Sequence, residues 1–138
     1  METSKKRILF ICTHNSARSQ MAEGYVNVYL NGTYEAKSAG TKPSIVNPYA
    51  IEVMSEIGVD ISKNRSKSIH EFQNEQFDYV VTVCSDAEEI CPFFPGKEHL
   101  HKGFTDPSSM MAGEDDTIAG FRKTRDEIVS WIRDTFKE

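Results

Sequence analysis

The sequence predicts an α/β fold: a single three-layer domain, residues 1–138, in which a four-stranded parallel sheet of strand order 2-1-3-4 carries helices on both faces. Three observations lead there. Residues 8–11 (ILFI) and 77–84 (FDYVVTVC) are nearly continuous apolar or β-branched runs, the pattern of strands covered on both sides. Segments with helical spacing alternate with the strand-like ones, which implies parallel strands joined by right-handed crossovers. A length of 138 residues suits one domain with a core of useful size.

Taken in order, residues 6–12 form the first, central strand. Met21, Ala22, Tyr25, Val26, Tyr29 and Leu30 then recur at helical spacing, and Asn31-Gly32 ends that helix. Residues 34–39 make a second strand ending at Gly40. Asn47-Pro48 supplies a helix cap with proline at the first helical position, followed by Ile51, Met54 and Ile57 as the buried face and Gly58 as the stop. Residues 60–76 are a loop-rich connection with a short helix around Ile69 to Phe72. The third strand, residues 77–84, ends in a cysteine as the first does. Ser85 with Glu88 resembles a capping box, so a short helix is expected to carry the chain to Cys91-Pro92. Residues 98–102 read as an edge strand and 103–107 as a loop. The last segment is a long helix with Ile118, Phe121, Ile128, Trp131, Ile132 and Phe136 inward, its positive end favoured by Glu114, Asp115 and Asp116.

The chemistry concentrates where the first strand meets the first helix, in CTHNSARS. Backbone N–H groups in a loop that opens a helix favour anions, so they both stabilise a Cys12 thiolate and hold a tetrahedral oxyanion above it. Arg18 adds a planar fork of donors suited to oxyanion oxygens. The order 2-1-3-4 makes the first and third strands neighbours at a switch point, where ligands collect. It also brings Cys84 to the same carboxyl edge as Cys12. A nucleophile and a second thiol are expected to share one pocket.

The formal net charge of −5 argues against gripping nucleic acid or anionic lipid by bulk electrostatics, so positive potential has to be local. The apolar run after METSKKR is too short for a signal-peptide core, and no stretch approaches a membrane span. Three cysteines without an export signal fit a reduced, cytoplasmic compartment. His14 lies in the loop, while His70, His99 and His101 read as surface or edge residues without zinc spacing.

CTHNSARSQMAEG, the SAG at residues 38–40, Asn47-Pro48, VVTVCSDAEEICP and the FTDP at residues 104–107 together resemble the thioredoxin-coupled arsenate reductases built on the low-molecular-weight tyrosine phosphatase fold. The resemblance spans nearly the whole chain. It implies that Thr13, His14, Asn15, Ser16, Ala17, Arg18 and Ser19 bind arsenate, with phosphate or sulfate as competing anions. Cys12 attacks the arsenic, Ser19 stabilises the thiolate and Asn15 shapes the loop. Cys84 then attacks Cys12, leaving a Cys12–Cys84 disulfide, and Cys91 converts it to Cys84–Cys91, which thioredoxin reduces. Asp106 is the implied general acid. Seven helical residues rise about 10.5 Å, whereas a disulfide spans at most about 6.8 Å between Cα atoms. The 84–91 segment is therefore expected to unwind when its bridge forms.

In some relatives Asn15, Glu23 and Ser38 correspond to positions near a monovalent cation; here Lys67 replaces an acidic partner, and no required metal or tightly bound cofactor is expected. The chain is expected to act as a monomer without nucleic-acid or membrane partners. Two other readings stay open: a low-molecular-weight protein tyrosine phosphatase, and a non-catalytic redox sensor or anion-binding module. Against the phosphatase, Ser108-Ser109 stand where an aromatic pair is expected, and Cys84 and Cys91 have no hydrolytic use. Coupling to a glutaredoxin in place of thioredoxin also stays open.

Overall fold

The computed structural model describes residues 5–83, 94–104, 107 and 114–137, with backbone alone at 114 and 115. Its elements run β1 (Lys6–Cys12), α1 (Arg18–Tyr29), β2 (Tyr34–Gly40), α2 (Pro48–Ser55), a 3-10 turn (Ile69–Phe72), β3 (Tyr79–Thr82), β4 (Glu98–His101) and α3 (Glu114–Thr135). All three strand pairings are parallel and the sheet order is β2-β1-β3-β4, as the alternation of elements predicts.

The continuous apolar character of β1 follows from its place in the middle of this sheet. Side chains alternate across a strand, so Ile8, Phe10 and Cys12 face one layer and Leu9 and Ile11 the other. The first layer holds Met21, Ala22 and Val26 of α1, Ala50, Val53 and Met54 of α2, and Phe121, Ile128 and Ile132 of α3. On the second face, Leu9 and Ile11 pack with Ala39, Val80, Phe72, Phe77 and Phe94. Phe77 sits edge-on between the rings of Phe72 and Phe94. The helix expected after Ser85 lies outside the described residues.

Local sequence accounts for most boundaries. Asn47 caps α2 by accepting from the Tyr49 N–H, and Pro48 occupies the first turn, where a missing donor costs nothing. Gly58 follows at φ 80°, a left-handed conformation that suits glycine beyond a helix end. Three expectations need correction. The fully buried residues of α2 are Ala50, Val53 and Met54; Ile51 and Ile57 are only partly buried at the margin of that layer. A small residue at 50 is what lets this short helix approach its neighbours, and that is set by tertiary packing. The regular strand β3 spans Tyr79–Thr82 within the expected 77–84, although backbone bonds continue past both ends, from the Asp78 N–H to the Arg7 carbonyl, from the Lys97 N–H to the Phe77 carbonyl and from the Val83 N–H to the Ile11 carbonyl; Cys84 lies outside the described residues. The edge strand β4 likewise ends at His101, one residue short of Lys102.

Among the described residues, no helix is long and apolar enough to cross a membrane.

Candidate active site

Cys12 ends β1 and Arg18 begins α1, so the five residues between them close a loop at the carboxyl edge of the sheet. Both side chains are buried, at 2% and 3% exposure, which makes the loop a built feature of the core. Its peptide groups are held from outside. The Thr13 carbonyl accepts from the Lys42 N–H (2.9 Å), the Ser16 carbonyl from the Asn47 N–H (2.9 Å) and the His14 carbonyl from Ser66 Oγ (2.7 Å). A trans peptide points its N–H opposite to its C=O, so these bonds turn the N–H groups of His14, Asn15 and Ala17 away from the flanking segments. Ala17 offers no capping side chain to the start of α1, as suits a helix end that serves an anion.

The loop is pressed against β2. A methyl group added at Gly40 would lie 2.5 Å from the Thr13 carbonyl oxygen, 2.8 Å from that of Cys12 and 2.9 Å from the Asn15 nitrogen. Asn15 is the sole non-glycine with positive φ among the described residues, at 51°, a region asparagine tolerates better than most. Its side chain anchors that conformation: Oδ1 accepts from the Lys67 N–H (2.8 Å) and from Gln20 Nε2 (2.9 Å), and Nδ2 donates to Ser19 Oγ (2.8 Å). Ser19 Oγ in turn lies 2.9 Å from Cys12 Sγ. The sequence-predicted residues Cys12, Asn15 and Ser19 are thus in direct contact.

Arg18 reaches across the mouth of the loop. Its Nη1 donates to the Phe104 carbonyl (3.1 Å) and, at 3.5 Å, lies within reach of the Val83 carbonyl, tying α1 to the ends of β3 and of the segment after β4. The Val83 N–H donates to the Ile11 carbonyl, so the chain still runs beside β1 at the residue before Cys84. Cys84, Cys91 and Asp106 themselves lie outside the described residues. Phe104 and Pro107, which flank residues 105 and 106, are both buried.

Beneath the loop, Ser38 Oγ donates to Glu23 Oε1 (2.7 Å), and Lys67 Nζ stands 3.7 Å from the same oxygen while donating to the Arg65 carbonyl (3.0 Å). Burial pushes the Lys67 ammonium below its ordinary pKa, against the pull of Glu23. The ammonium thus stands beside Glu23, one of the three residues the sequence places near a cation. Among the described residues, no group of three His, Cys, Asp or Glu side chains is arranged to hold a metal. Of the other histidines, His14 and His70 are exposed, His99 Nε2 pairs with the Phe94 carbonyl and His101 Nδ1 with Thr82 Oγ1, both at 2.7 Å on β4.

Sequence reasoning missed Gln20, Asn64 and Ser66, all of which touch the loop or its supports. Nothing in the local sequence marks them, since the start of α1, Gln20 included, is buried on every side only in the fold.

The model of the family described as low molecular weight phosphotyrosine protein phosphatase matches residues 7–138. The arsenate reductase of Halalkalibacterium halodurans is 44% identical over 136 residues, covering 98% of this chain and 97% of that protein. Among solved structures, an arsenate reductase in the phosphate binding state superposes with a TM-score of 0.75 at 28% identity, covering 94% of this chain and 95% of that one. The thioredoxin-dependent arsenate reductase of Corynebacterium glutamicum superposes with a TM-score of 0.66 at 28% identity, over 99% of this chain and 66% of that one.

Proposed function

The chain belongs to the low molecular weight phosphotyrosine protein phosphatase family, and from that premise we propose that it reduces arsenate to arsenite by a three-cysteine relay that thioredoxin resets. The observation that carries this reading is the loop floor: a buried Cys12 in contact with Ser19, ringed by peptide groups held from outside and spanned by Arg18. The names of the relatives supply the substrate class. The relative in the phosphate binding state supports a tetrahedral oxyanion as the ligand, and in this reading phosphate and sulfate compete with arsenate for the loop.

In the proposed reaction the Cys12 thiolate attacks arsenic, and one oxygen leaves as water after taking a proton from Asp106. Cys84 then attacks Cys12 Sγ. The electron pair of the sulfur–arsenic bond stays on arsenic, so arsenate becomes arsenite as the two thiols become a disulfide. Cys91 attacks Cys84, freeing the Cys12 thiolate and leaving Cys84–Cys91 for a dithiol partner. The chain directions at Val83 and Phe104, each bonded to Arg18, support Cys84 and Asp106 entering the site from those two sides. Thr13, His14, Asn15, Ser16, Ala17, Arg18 and Ser19 form the anion-binding set. Lys67 supplies the positive charge at Glu23 in place of a monovalent cation. The enzyme works as a cytoplasmic monomer.

The test is arsenate-dependent NADPH oxidation with thioredoxin and its reductase, run beside aryl phosphate hydrolysis, for wild type and for Cys12→Ser, Cys84→Ser and Cys91→Ser. Reductase turnover is expected to vanish in all three. Hydrolysis that survives Cys84→Ser and Cys91→Ser, without arsenate turnover in wild type, identifies a phosphatase. Neither activity identifies a sensor or anion-binding module, and reset by glutaredoxin alone replaces the partner.

A further inference from the structure

We propose that Gln20 is a positioning residue for Cys12, acting through a hydrogen-bond chain whose donations run one way from Asn64, oriented by Glu23, to the Cys12 thiolate. Gln20 is fully buried in the first turn of α1. Its Nε2 meets the Arg65 carbonyl (2.9 Å), Asn15 Oδ1 (2.9 Å) and the Asn15 carbonyl (3.2 Å), and its Oε1 accepts from Asn64 Nδ2 (3.1 Å). The same Asn64 nitrogen donates to Glu23 Oε2 at 3.2 Å.

Groups with one possible role fix each link as far as Ser19 Oγ. A backbone carbonyl only accepts, so Gln20 must turn its nitrogen toward Arg65, and that nitrogen then donates to Asn15 Oδ1. A backbone N–H only donates, so the Asn15 atom facing Lys67 N is its oxygen, which leaves the Asn15 nitrogen to donate to Ser19 Oγ. Ser19 carries a single hydroxyl hydrogen. A thiolate only accepts, so with Cys12 ionised that hydrogen is donated to its Sγ, 2.9 Å away, while Asn15 donates into the Ser19 oxygen. A donor aimed at sulfur favours the thiolate over the thiol. The carboxylate of Glu23, an acceptor alone, fixes the far end by orienting Asn64. Three amides, those of Asn64, Gln20 and Asn15, are thereby locked in one sense ahead of the Ser19 hydroxyl, and each donation strengthens the next.

The charged groups along this chain are Glu23 and Lys67 beneath it and Arg18 at the loop. Arg65 contributes its carbonyl, while its guanidinium pairs with Glu71. The inference rests on Cys12 as the attacking thiolate and is independent of arsenate as substrate.

The experiment uses the Cys84→Ser/Cys91→Ser background, where Cys12 is the sole thiol, and follows its alkylation by iodoacetamide across pH. The reagent is neutral, so local charge does not steer it. Gln20→Met is expected to slow alkylation at neutral pH about tenfold, the size of one hydrogen bond to a charged acceptor, and to move the rate profile to higher pH. In a Ser19→Ala background the same substitution is expected to add nothing, because its effect passes through Ser19. An unchanged rate in the single variant, or an equal further slowing in the Ser19→Ala background, overturns the proposal. Should Gln20→Met fail to fold, Asn64→Ala breaks the next link from a half-buried position. It is expected to slow alkylation in the same sense, and an unchanged rate there also overturns the chain. If the parent itself reacts only as an ordinary thiol, the assignment of Cys12 as the attacking thiolate falls.

Discussion

At Gly40 the absent side chain matters more than any that could be placed there. All three atoms that an added Cβ would meet belong to the backbone of the Cys12 loop, so none can swing aside as a flexible side chain would. Gly40→Ala is expected to push the loop off β2 and to destabilise the fold by about 1–3 kcal/mol, as overpacking does. Denaturant unfolding measures that loss, and the alkylation rate of Cys12 is expected to fall with it. An Ala variant of unchanged stability and reactivity would mean that the loop has room to relax. Much of the site at this level was legible: Cys12, Arg18, Asn15 and Ser19 lie within one short stretch, and a strand end, a loop and a helix start dictate their meeting. Gln20 and Ser66 were not legible, because what makes them functional lies far along the chain. Gln20 answers to a carbonyl 45 residues away and Ser66 to one 52 residues away.

The long helix α3 is fastened to α2 by a charged clamp that leaves the loop untouched. Glu56 accepts from Arg122 Nε at 3.1 Å to each oxygen and from Nη2 at 2.7 Å, while Arg125 Nη1 reaches Glu56 at 2.7 Å and the Val53 carbonyl at 2.9 Å. The bonds from Arg122 first, and Arg125 second, hold the Glu56 carboxyl down from 4.5 to about 2. A carboxyl depressed in the folded state stabilises fully above its unfolded pKa and loses that contribution as pH falls through its folded one. Glu56→Gln is accordingly expected to melt below wild type at neutral pH, with the gap closing between about pH 4.5 and 2. A gap independent of pH would assign the effect to packing. Boundaries show the same division between local and distant causes. The Asn47-Pro48 cap and the Ile69–Phe72 turn were readable from neighbouring residues, whereas the buried face of α2 shifted to Ala50 and Val53 because α1 and α3 decide which side is covered.

The molecule as a whole is acidic, with a formal charge of −5, and the proposed anion site gathers its donors at one point on the sheet edge. In this proposal the attraction is local and geometric, made of peptide N–H groups and one guanidinium, against the bulk electrostatics. Phosphate and sulfate are expected to protect Cys12 from alkylation in a saturable way that an equal ionic strength of chloride does not reproduce. Equal protection by chloride would reduce the effect to screening. The parallel order β2-β1-β3-β4 was readable because buried strands and intervening helices leave few arrangements. It also brings the chain beside β1 as far as Val83, the residue before Cys84.

The relay is tested most directly by mixing reduced protein with arsenate in the absence of thioredoxin, then measuring arsenite released, intact mass and disulfide connectivity. The expected result is one arsenite per chain, a mass lower by two hydrogens and a Cys84–Cys91 bridge, with Cys91→Ser trapped as Cys12–Cys84. Arsenite without any disulfide, or a full set of free thiols with no arsenite, would contradict it.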